Sequence, residues 1–319
     1  MKWIWFIILL ICSILAAGCL LESNGSSKSD TQADVSYTVV DDRGKEIFFP
    51  APPHRILCLN NAIQDVVFDL VAVEQIAAVS NLSLDPAYSM TSKKAAFAAQ
   101  RYTNPISAEK ILSLQPDIVF VSDGVKPELY QTLVDMKIPV FEIKSPESIE
   151  GIRHMIRKIS AVVRKEEKGQ QLIQNMDQRL QALDQRLQRI EKDKRKTVIE
   201  LTYNGTFGIM QHVFAILCQA SHVRNGMEII PTKSSVVVSK ERILQLNPDV
   251  LLLPAWNAKG EKDPDEYFEQ VKSDPAYVHL KCIQQKEVYK FPEKYRYCTS
   301  HHIAEAAEYM AKLVYPEYF

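Results

Sequence analysis

The segment "SAEKILSLQPDIVFVS", residues 107–122, is the strongest indication of the fold, because the chain contains a second copy of it. From residue 239 the sequence reads "SKERILQLNPDVLLLP", 239 − 107 = 132 positions later. Each copy has a serine start, a short amphipathic helical pattern, a Pro-Asp turn and an apolar run typical of a buried strand. The first fifteen positions agree at seven: Ser, Glu, Ile, Leu, Leu, Pro and Asp. The repeat predicts a chain built from two similar halves.

Short apolar runs alternate with helix-length segments in both halves. In the first half they are "RILCLN" (55–60), "QIAAVS" (75–80), "PDIVFVS" (116–122) and "PVFEI" (139–143). In the second half they are "TVIELTY" (197–203), "PDVLLLP" (248–254) and "EVYKF" (287–291). Strands separated by helices favour parallel α/β sheets. We predict two Rossmann-like α/β lobes with mostly parallel sheets, over 35–164 and 197–319, the first opening with a hairpin at 35–49.

Residues 165–196 separate the two predicted lobes. Their apolar positions recur at steps of three and four: Leu172, Ile173, Met176, Leu180, Leu183, Leu187 and Ile190. This spacing predicts an amphipathic helix of roughly 30 residues, about 45 Å long. The same positions fit heptads, so a coiled-coil dimer is the alternative. The place of the helix between similar lobes favours a spine that allows small lobe movements around a ligand in the cleft.

The N-terminal segment is predicted to lie outside the fold. A charged start and an apolar run occupy residues 1–15, and "LAAGC" follows at 15–19. This pattern is typical of a secretory signal, and its end resembles the bacterial lipobox. We expect a lipoprotein signal peptide over 1–18, a lipid on Cys19 that anchors the protein to the cell membrane, and a flexible tether over 19–34. An ordinary signal peptide or an uncleaved anchor is the alternative.

Composition limits the class of protein. The chain has 38 basic and 39 acidic residues and no basic block, which gives no support for nucleic-acid binding. The mature part, 319 − 18 = 301 residues, suits two domains. Four cysteines lie beyond the signal peptide and Cys19, and none of them has CxxC spacing: Cys58, Cys218, Cys282 and Cys298. We expect these four to be buried thiols, with one or two disulfides as the alternative in an exported protein.

Taken together, these features resemble the substrate-binding lipoproteins of bacterial ABC importers, in the helical-backbone group that captures iron–siderophore complexes, haem or cobalamin. The resemblance rests on "VVDDRGKEIFFPAPPHRILCLN" (39–60), the two "SxExILxLxPD" units and the closing "HHIAEAAEYMAKLVYPEYF" (301–319). It implies an extracytoplasmic, monomeric binding protein that is not an enzyme and has no intrinsic cofactor. The implied partner is an ABC permease dimer with its ATPase.

One glutamate in each repeat is a candidate for docking to that partner. In the family that the chain resembles, a glutamate at the top of each lobe pairs with arginines on the two permease subunits. The matching residues are Glu109 and Glu241, the third position of each repeat. Two equivalent acidic points suit a twofold acceptor. The alternative is that each glutamate only stabilises the N-terminus of its own helix.

The ligand site is expected outside the carboxyl ends of the strands, where open α/β sheets bind their ligands. The candidates are Tyr88, Tyr102, Tyr203, Trp256, Tyr295, Arg296, Tyr297 and His301. Aromatic groups suit a large ligand, and an arginine suits a carboxylate or an anionic chelate. The resemblance implies an iron chelate, haem or a corrinoid. A haem iron would accept a Tyr or His of this region, namely Tyr102, Tyr295, Tyr297, His301 or His302.

Other functions have less support in the sequence. The motifs GxSxG, HExxH and the P-loop are absent. The seven histidines are scattered, which does not favour bare zinc or manganese. His301 and His302 open a helical pattern, so their side chains are expected to point to different faces. An exported enzyme on a similar two-lobed fold, or a sensor-type lipoprotein that binds ligand without transport, remains the alternative.

Overall fold

A β-hairpin begins the folded part of the chain. The computed structural model describes residues 36–203, 206–207, 211–228, 236–237, 239–257 and 263–319; the predicted signal peptide, Cys19 and tether lie outside them. Strand β1 (Tyr37–Val40) pairs antiparallel with β2 (Glu46–Phe49). Gly44 lies in the turn at a φ of +82°, which glycine adopts without strain. The hairpin predicted from the sequence is confirmed.

The first lobe contains a five-stranded parallel sheet in the order β5-β4-β3-β6-β7. Its strands are β3 (Ile56–Cys58), β4 (Ile76–Ser80), β5 (Arg101–Tyr102), β6 (Ile118–Ser122) and β7 (Val140–Ile143). Its helices are α1 (Asn61–Leu70), α2 (Ser92–Ala95), α3 (Ala108–Ser113), α4 (Pro127–Asp135) and α5 (Ile149–Val162). Strands β3, β4 and β7 are buried along their whole length, as expected when helices cover both faces of a parallel sheet.

A single long helix, α6 (Glu166–Leu187), follows the first lobe. It packs against α5 on one side and against α12 (Ile303–Val314) of the second lobe on the other. Arg153 on α5 bonds to Asp177, and Glu308 on α12 accepts from Arg179 at 2.9 Å. The helix has 22 residues, so it is shorter than predicted. Since the chain's own helices cover its apolar side, the structure favours a spine over a coiled-coil seam.

The second lobe contains a four-stranded parallel sheet in the order β10-β8-β12-β13. Its strands are β8 (Thr197–Glu200), β10 (Arg224–Asn225), β12 (Val250–Pro254) and β13 (Val288–Phe291). A separate antiparallel pair consists of β9 (Thr206–Phe207) and β11 (Val236–Val237). The other helices are α7 (Gln211–Ala220), α8 (Lys240–Leu246), α9 (Pro264–Ser273), α10 (Lys281–Gln284) and α11 (Glu293–Arg296). The predicted class, two α/β lobes with mostly parallel sheets, is confirmed.

The two repeats make the same contacts in the two lobes. Ser107 and Ser239 cap α3 and α8, each accepting a backbone N–H at 3.2 Å. The aspartates of the Pro-Asp turns, Asp117 and Asp249, accept a backbone N–H at the start of the neighbouring strand, at 2.8 and 2.7 Å. A side-chain cap and a strand tie therefore explain why serine and aspartate recur at these positions.

The four described cysteines are free and buried, as the buried-thiol prediction expects. Burial raises their pKa values, so these thiols stay protonated and unreactive at neutral pH. Among the described helices, none is both long and apolar enough to cross a membrane.

Candidate ligand site between the lobes

The two lobes meet along a seam at the carboxyl ends of their strands. The Trp256 indole Nε1 of the second lobe donates to Asp85 Oδ2 of the first at 2.7 Å. The Tyr88 and Trp256 rings lie 5.0 Å apart between centroids. The backbone N–H of Lys294 donates to the carbonyl of Ala87 at 3.1 Å. Side-chain and backbone contacts thus close this edge of the seam.

A small cavity lies within the seam. The described residues around it enclose about 30 Å³, enough for a water molecule or a compact ligand rather than a drug-sized one. The first lobe contributes residues that follow β3, β6 and β7, and the second contributes α7 and the loop before α12. The lining residues are Asn60, Ile63, Ser122, Ile143, Lys144, Ser145, Pro146, Met155, His212, Val213 and Thr299.

The described lining of this cavity suits an anion. It contains a lysine, a histidine, hydroxyls and an amide, and no aspartate or glutamate. Two ten-residue helices also begin here: Asn60 is the N-cap of α1, and His212 lies in the first turn of α7. Helix N-termini carry partial positive charge, which favours anions, and at α1 the Asn60 side chain itself accepts the N–H groups of Ala62 and Ile63. The described lining therefore suits a compact anion, with Asp123 as a nearby carboxylate, which accepts from the lining residue Ser145 at 2.5 Å.

Three of the predicted ligand residues lie at the seam. Tyr88 reaches the Asn61 side chain and stacks beside Trp256. Tyr203 donates its hydroxyl to the Trp256 carbonyl at 3.2 Å. Desolvation raises the pKa of both tyrosines. These three side chains form an aromatic edge to the seam, and their role in ligand binding stays a prediction.

Two predicted ligand residues are core residues instead. Tyr102 is buried in the first lobe, where its hydroxyl donates to the Cys58 carbonyl at 3.1 Å. Tyr295 is buried in the second lobe, donates to Glu305 at 2.9 Å and packs against Tyr309. Each hydroxyl is satisfied inside its own lobe, as buried polar groups require. The structure therefore corrects the placement of both tyrosines in the ligand site.

Arg296 also differs from its predicted role as an open anion receptor. It is fully buried, and its guanidinium donates to Glu200 at 2.8 Å and to Glu293 at 3.3 Å. Burial raises the pKa of Glu293 to about 7. One cation thus faces two buried carboxylates, so its charge is already compensated. Tyr297 covers this network, with its ring centre 5.6 Å from the Arg296 guanidinium carbon, and stays a ligand candidate.

His301 contacts the other lobe at the far end of α1. Its Nε2 lies 2.7 Å from Asp69 Oδ2. The neighbouring His302 ring lies against it at a tilt of 37°, with centroids 4.1 Å apart. The prediction that the two imidazoles point to different faces is therefore wrong, because both precede the first residue of α12, where helical periodicity does not yet apply.

Several residues of the cavity were not predicted from the sequence. Ser122 ends β6 and Lys144 follows β7, so the carboxyl-end rule, applied to every strand, would have included both. His212 lies in the helix that follows the short strand β9, and Thr299 follows α11, so neither comes directly after a strand of the two parallel sheets. The buried Glu200 ends β8 within an apolar run and carries no signal of its own.

The predicted docking glutamates occupy equivalent exposed positions. Glu109 and Glu241 lie in the first turns of α3 and α8. Hydrogen bonds from their own backbone N–H and from Ser107 and Ser239 lower the pKa of each carboxyl. Both are therefore ionised at neutral pH. The geometry accommodates helix stabilisation and docking at once, and docking stays a prediction.

Two proteins with similar sequences and one with a similar fold are named as binding proteins. The molybdate-binding protein MolA of Haemophilus influenzae is 24% identical over 96% of this chain and 91% of its own. The uncharacterized ABC transporter substrate-binding lipoprotein YvrC of Bacillus subtilis is 21% identical over 98% and 96%. The haem-binding protein RhuT of Roseiflexus sp. RS-1, in apo form, superposes with a TM-score of 0.70 at 18% identity, covering 83% and 99%.

The solved structure of MolA with molybdate superposes with a TM-score of 0.72 at 21% identity, over 89% of this chain and 92% of that one. At these identities the superpositions establish the fold. The family model described as periplasmic binding protein matches residues 56–295, which span both sheets and the cavity between them. The chain belongs to the periplasmic binding protein family.

Proposed function

We propose that the protein is the extracytoplasmic substrate-binding component of an ABC importer and that its ligand is an anionic, metal-containing solute. The observation that carries this proposal is the cavity between the lobes, whose described lining offers cationic and neutral donors and no carboxylate. Membership of the periplasmic binding protein family supports the binding role. The two sequence relatives described above are named a molybdate-binding protein and an ABC transporter substrate-binding lipoprotein.

Both a large metal complex and a compact oxyanion can be anionic, metal-containing solutes. The resemblance of the sequence to siderophore-, haem- and cobalamin-binding lipoproteins favours a large complex held against the aromatic edge of Tyr88, Tyr203 and Trp256. A volume of about 30 Å³ favours a compact tetrahedral oxyanion instead, and MolA binds molybdate. We rank the compact oxyanion first, because a large ring system requires several hundred Å³.

Calorimetric titration of the purified protein separates these ligands. Molybdate, tungstate and sulfate form one series, and hemin, a ferric hydroxamate and cobalamin form the other. Binding of molybdate that weakens by about tenfold or more in Lys144→Gln or His212→Gln is the expected result, since each change removes a donor to a charged group. Lys110→Gln on the exposed surface is the matched control. Binding of hemin or a chelate alone would place the ligand at the aromatic edge.

Docking to a permease dimer is the second part of the proposal. Glu109 and Glu241 are exposed at equivalent positions of α3 and α8. An exposed leucine lies three residues after each, Leu112 at 49% and Leu244 at 39%. Residues three apart share a helix face, so each lobe presents an acidic group beside an apolar one. Two such pairs match an acceptor made of two equivalent subunits.

Uptake measurements test the docking surface. Glu109→Ala with Glu241→Ala should lower uptake more than either single change, while ligand affinity and melting temperature stay within the small range typical of surface substitutions. Glu128→Ala is the matched control, because Glu128 also lies exposed in the first turn of a helix. A folded double variant with normal uptake would refute docking, and loss of stability in proportion to uptake would support helix capping.

Anchoring completes the proposed function. The lipobox-like end of the signal peptide supports a lipid on Cys19, which would hold the protein at the outer face of the cell membrane. YvrC, which matches nearly the whole chain, is named a lipoprotein. Genes for a permease and an ATPase beside this one would favour transport over a sensor without transport.

A further inference from the structure

A cluster of metal-ligand side chains joins the two lobes away from the cavity. Asp69 near the end of α1, His301 and His302 each offer one ligand atom, and these atoms lie within 4.8 Å of one another. His301 Nε2 is 2.7 Å and His302 Nε2 is 3.8 Å from the same carboxylate oxygen. We propose that Asp69, His301 and His302 form a binding site for a borderline divalent cation such as Zn²⁺.

Both imidazoles have buried nitrogens without a partner. His301 Nδ1 and His302 Nε2 make no hydrogen bond among the described residues. Burial without a hydrogen bond costs free energy, and few such groups occur in native proteins. A cation between the rings and Asp69 gives the His302 nitrogen a partner. Two imidazoles and one carboxylate also form a ligand set typical of zinc, with a fourth position left for water.

The ligand set has the chemistry that a divalent cation requires. The Asp69 carboxylate supplies the single negative charge, and the neutral imidazole is the form of histidine that ligates metal ions.

Lys94 is the competing cation. Its ammonium contacts Asp69 Oδ1, and its side chain is 48% exposed. A bound Zn²⁺ must share this carboxylate with Lys94 or displace it, and the exposed lysine has room to leave. Removing the lysine charge should therefore strengthen metal binding, a response that no purely structural role of the histidines predicts.

The site is separate from the proposed ligand cavity. Asn60 caps the start of α1 at the cavity, and Asp69 lies nine residues later, about 13 Å away along the helix axis. Asp69 belongs to the first lobe, whereas His301 and His302 belong to the second. A cation held by all three would restrain the relative movement of the lobes, without occupying the space of the transported ligand.

Titration of the chelator-washed protein with Zn²⁺, by calorimetry and an indicator dye, tests the site. We expect one bound equivalent, an affinity about tenfold or more lower in Asp69→Asn and His302→Gln, and a higher affinity in Lys94→Gln. His279→Gln on the surface is the matched control for nonspecific binding. His212→Gln is the control for metal in the cavity, and it should leave this binding unchanged.

The titration has clear contrary outcomes. Equal affinity in wild type, Asp69→Asn and His302→Gln would overturn the site, as would a loss that also follows His279→Gln. If the ligand variants fail to fold without metal, Lys94→Gln decides: a rise in affinity supports the site, and no change refutes it. Because the readout is zinc and not the transported solute, failure here leaves the proposed function untouched, and failure of solute binding leaves this site untouched.

Discussion

Replacing Glu293 by glutamine tests the buried charge network beneath the seam. Glu293, Glu200 and Arg296 are 5%, 4% and 4% exposed, and Arg296 bonds to both carboxylates. With both acids ionised, this network buries an uncompensated negative charge, and desolvation raises the pKa of Glu293 to about 7. Glutamine keeps the shape and the acceptor oxygen but removes the charge.

The sign of the effect follows from the two pKa values. The pKa of Glu293 is 4.5 when unperturbed and about 7 in the fold, so the folded protein holds this proton more tightly. The stabilisation that this proton provides is complete below about pH 4.5 and is lost as pH rises through 7. The difference corresponds to about 3 kcal/mol in the free energy of unfolding, or roughly 5–10 °C in melting temperature.

Urea unfolding of wild type and Glu293→Gln at pH 5, 6, 7 and 8 measures this difference. Wild type should lose about 2.5 kcal/mol relative to the variant between pH 5 and 8, most of it between pH 5 and 7, where the folded and unfolded states differ in the protonation of Glu293. Other titrating groups, such as Asp65, cancel in the comparison, and Glu128→Gln controls for loss of an exposed glutamate. A difference that does not change with pH, or that favours wild type at pH 8, would refute the reasoning.

Three further changes have expected outcomes. Arg296→Ala should destabilise the protein by about 3–5 kcal/mol in urea unfolding, because the change leaves two buried carboxylates without their cation. If the variant instead kept its stability and bound ligand more weakly, Arg296 would be a ligand residue after all. Gly169→Ala should lower the melting temperature, although alanine favours helices more than glycine does, because the added Cβ would lie 2.5 Å from Ser160. A higher melting temperature in this variant would show that the two helices move apart without cost. Cys19→Ser should release the protein from membranes or leave it unprocessed, and fractionation that finds it in membranes at mature size would contradict a lipid anchor.

Local sequence patterns were sufficient to predict the two-lobed architecture. Each copy of the repeat at 107 and 239 has a serine cap, an isoleucine that packs inward and an apolar run, and the cap acts within the repeat. The aspartate of each copy accepts from Arg55 or Thr197, at the start of a neighbouring strand outside the repeat. The alternation of strands and helices, the hairpin and the spine were predictable because periodicity reports burial within one element.

The environment of each polar side chain depended on tertiary structure. The sequence shows that Arg296 follows a predicted strand. It does not show that Arg296 bonds in the protein interior to Glu200, which lies 96 positions earlier. Likewise Tyr102 and Tyr295 are aromatic residues near strand ends whose hydroxyls turn inward to partners of their own lobe. Asp69 and His301 are 232 positions apart. The two lobes and the strand ends at which they meet were therefore predictable from the sequence, because both follow from short-range periodicity. Which charges are compensated, and which of the described nitrogens lack a partner, depends on groups that come together when the lobes pack, so these features were not predictable before the fold was known.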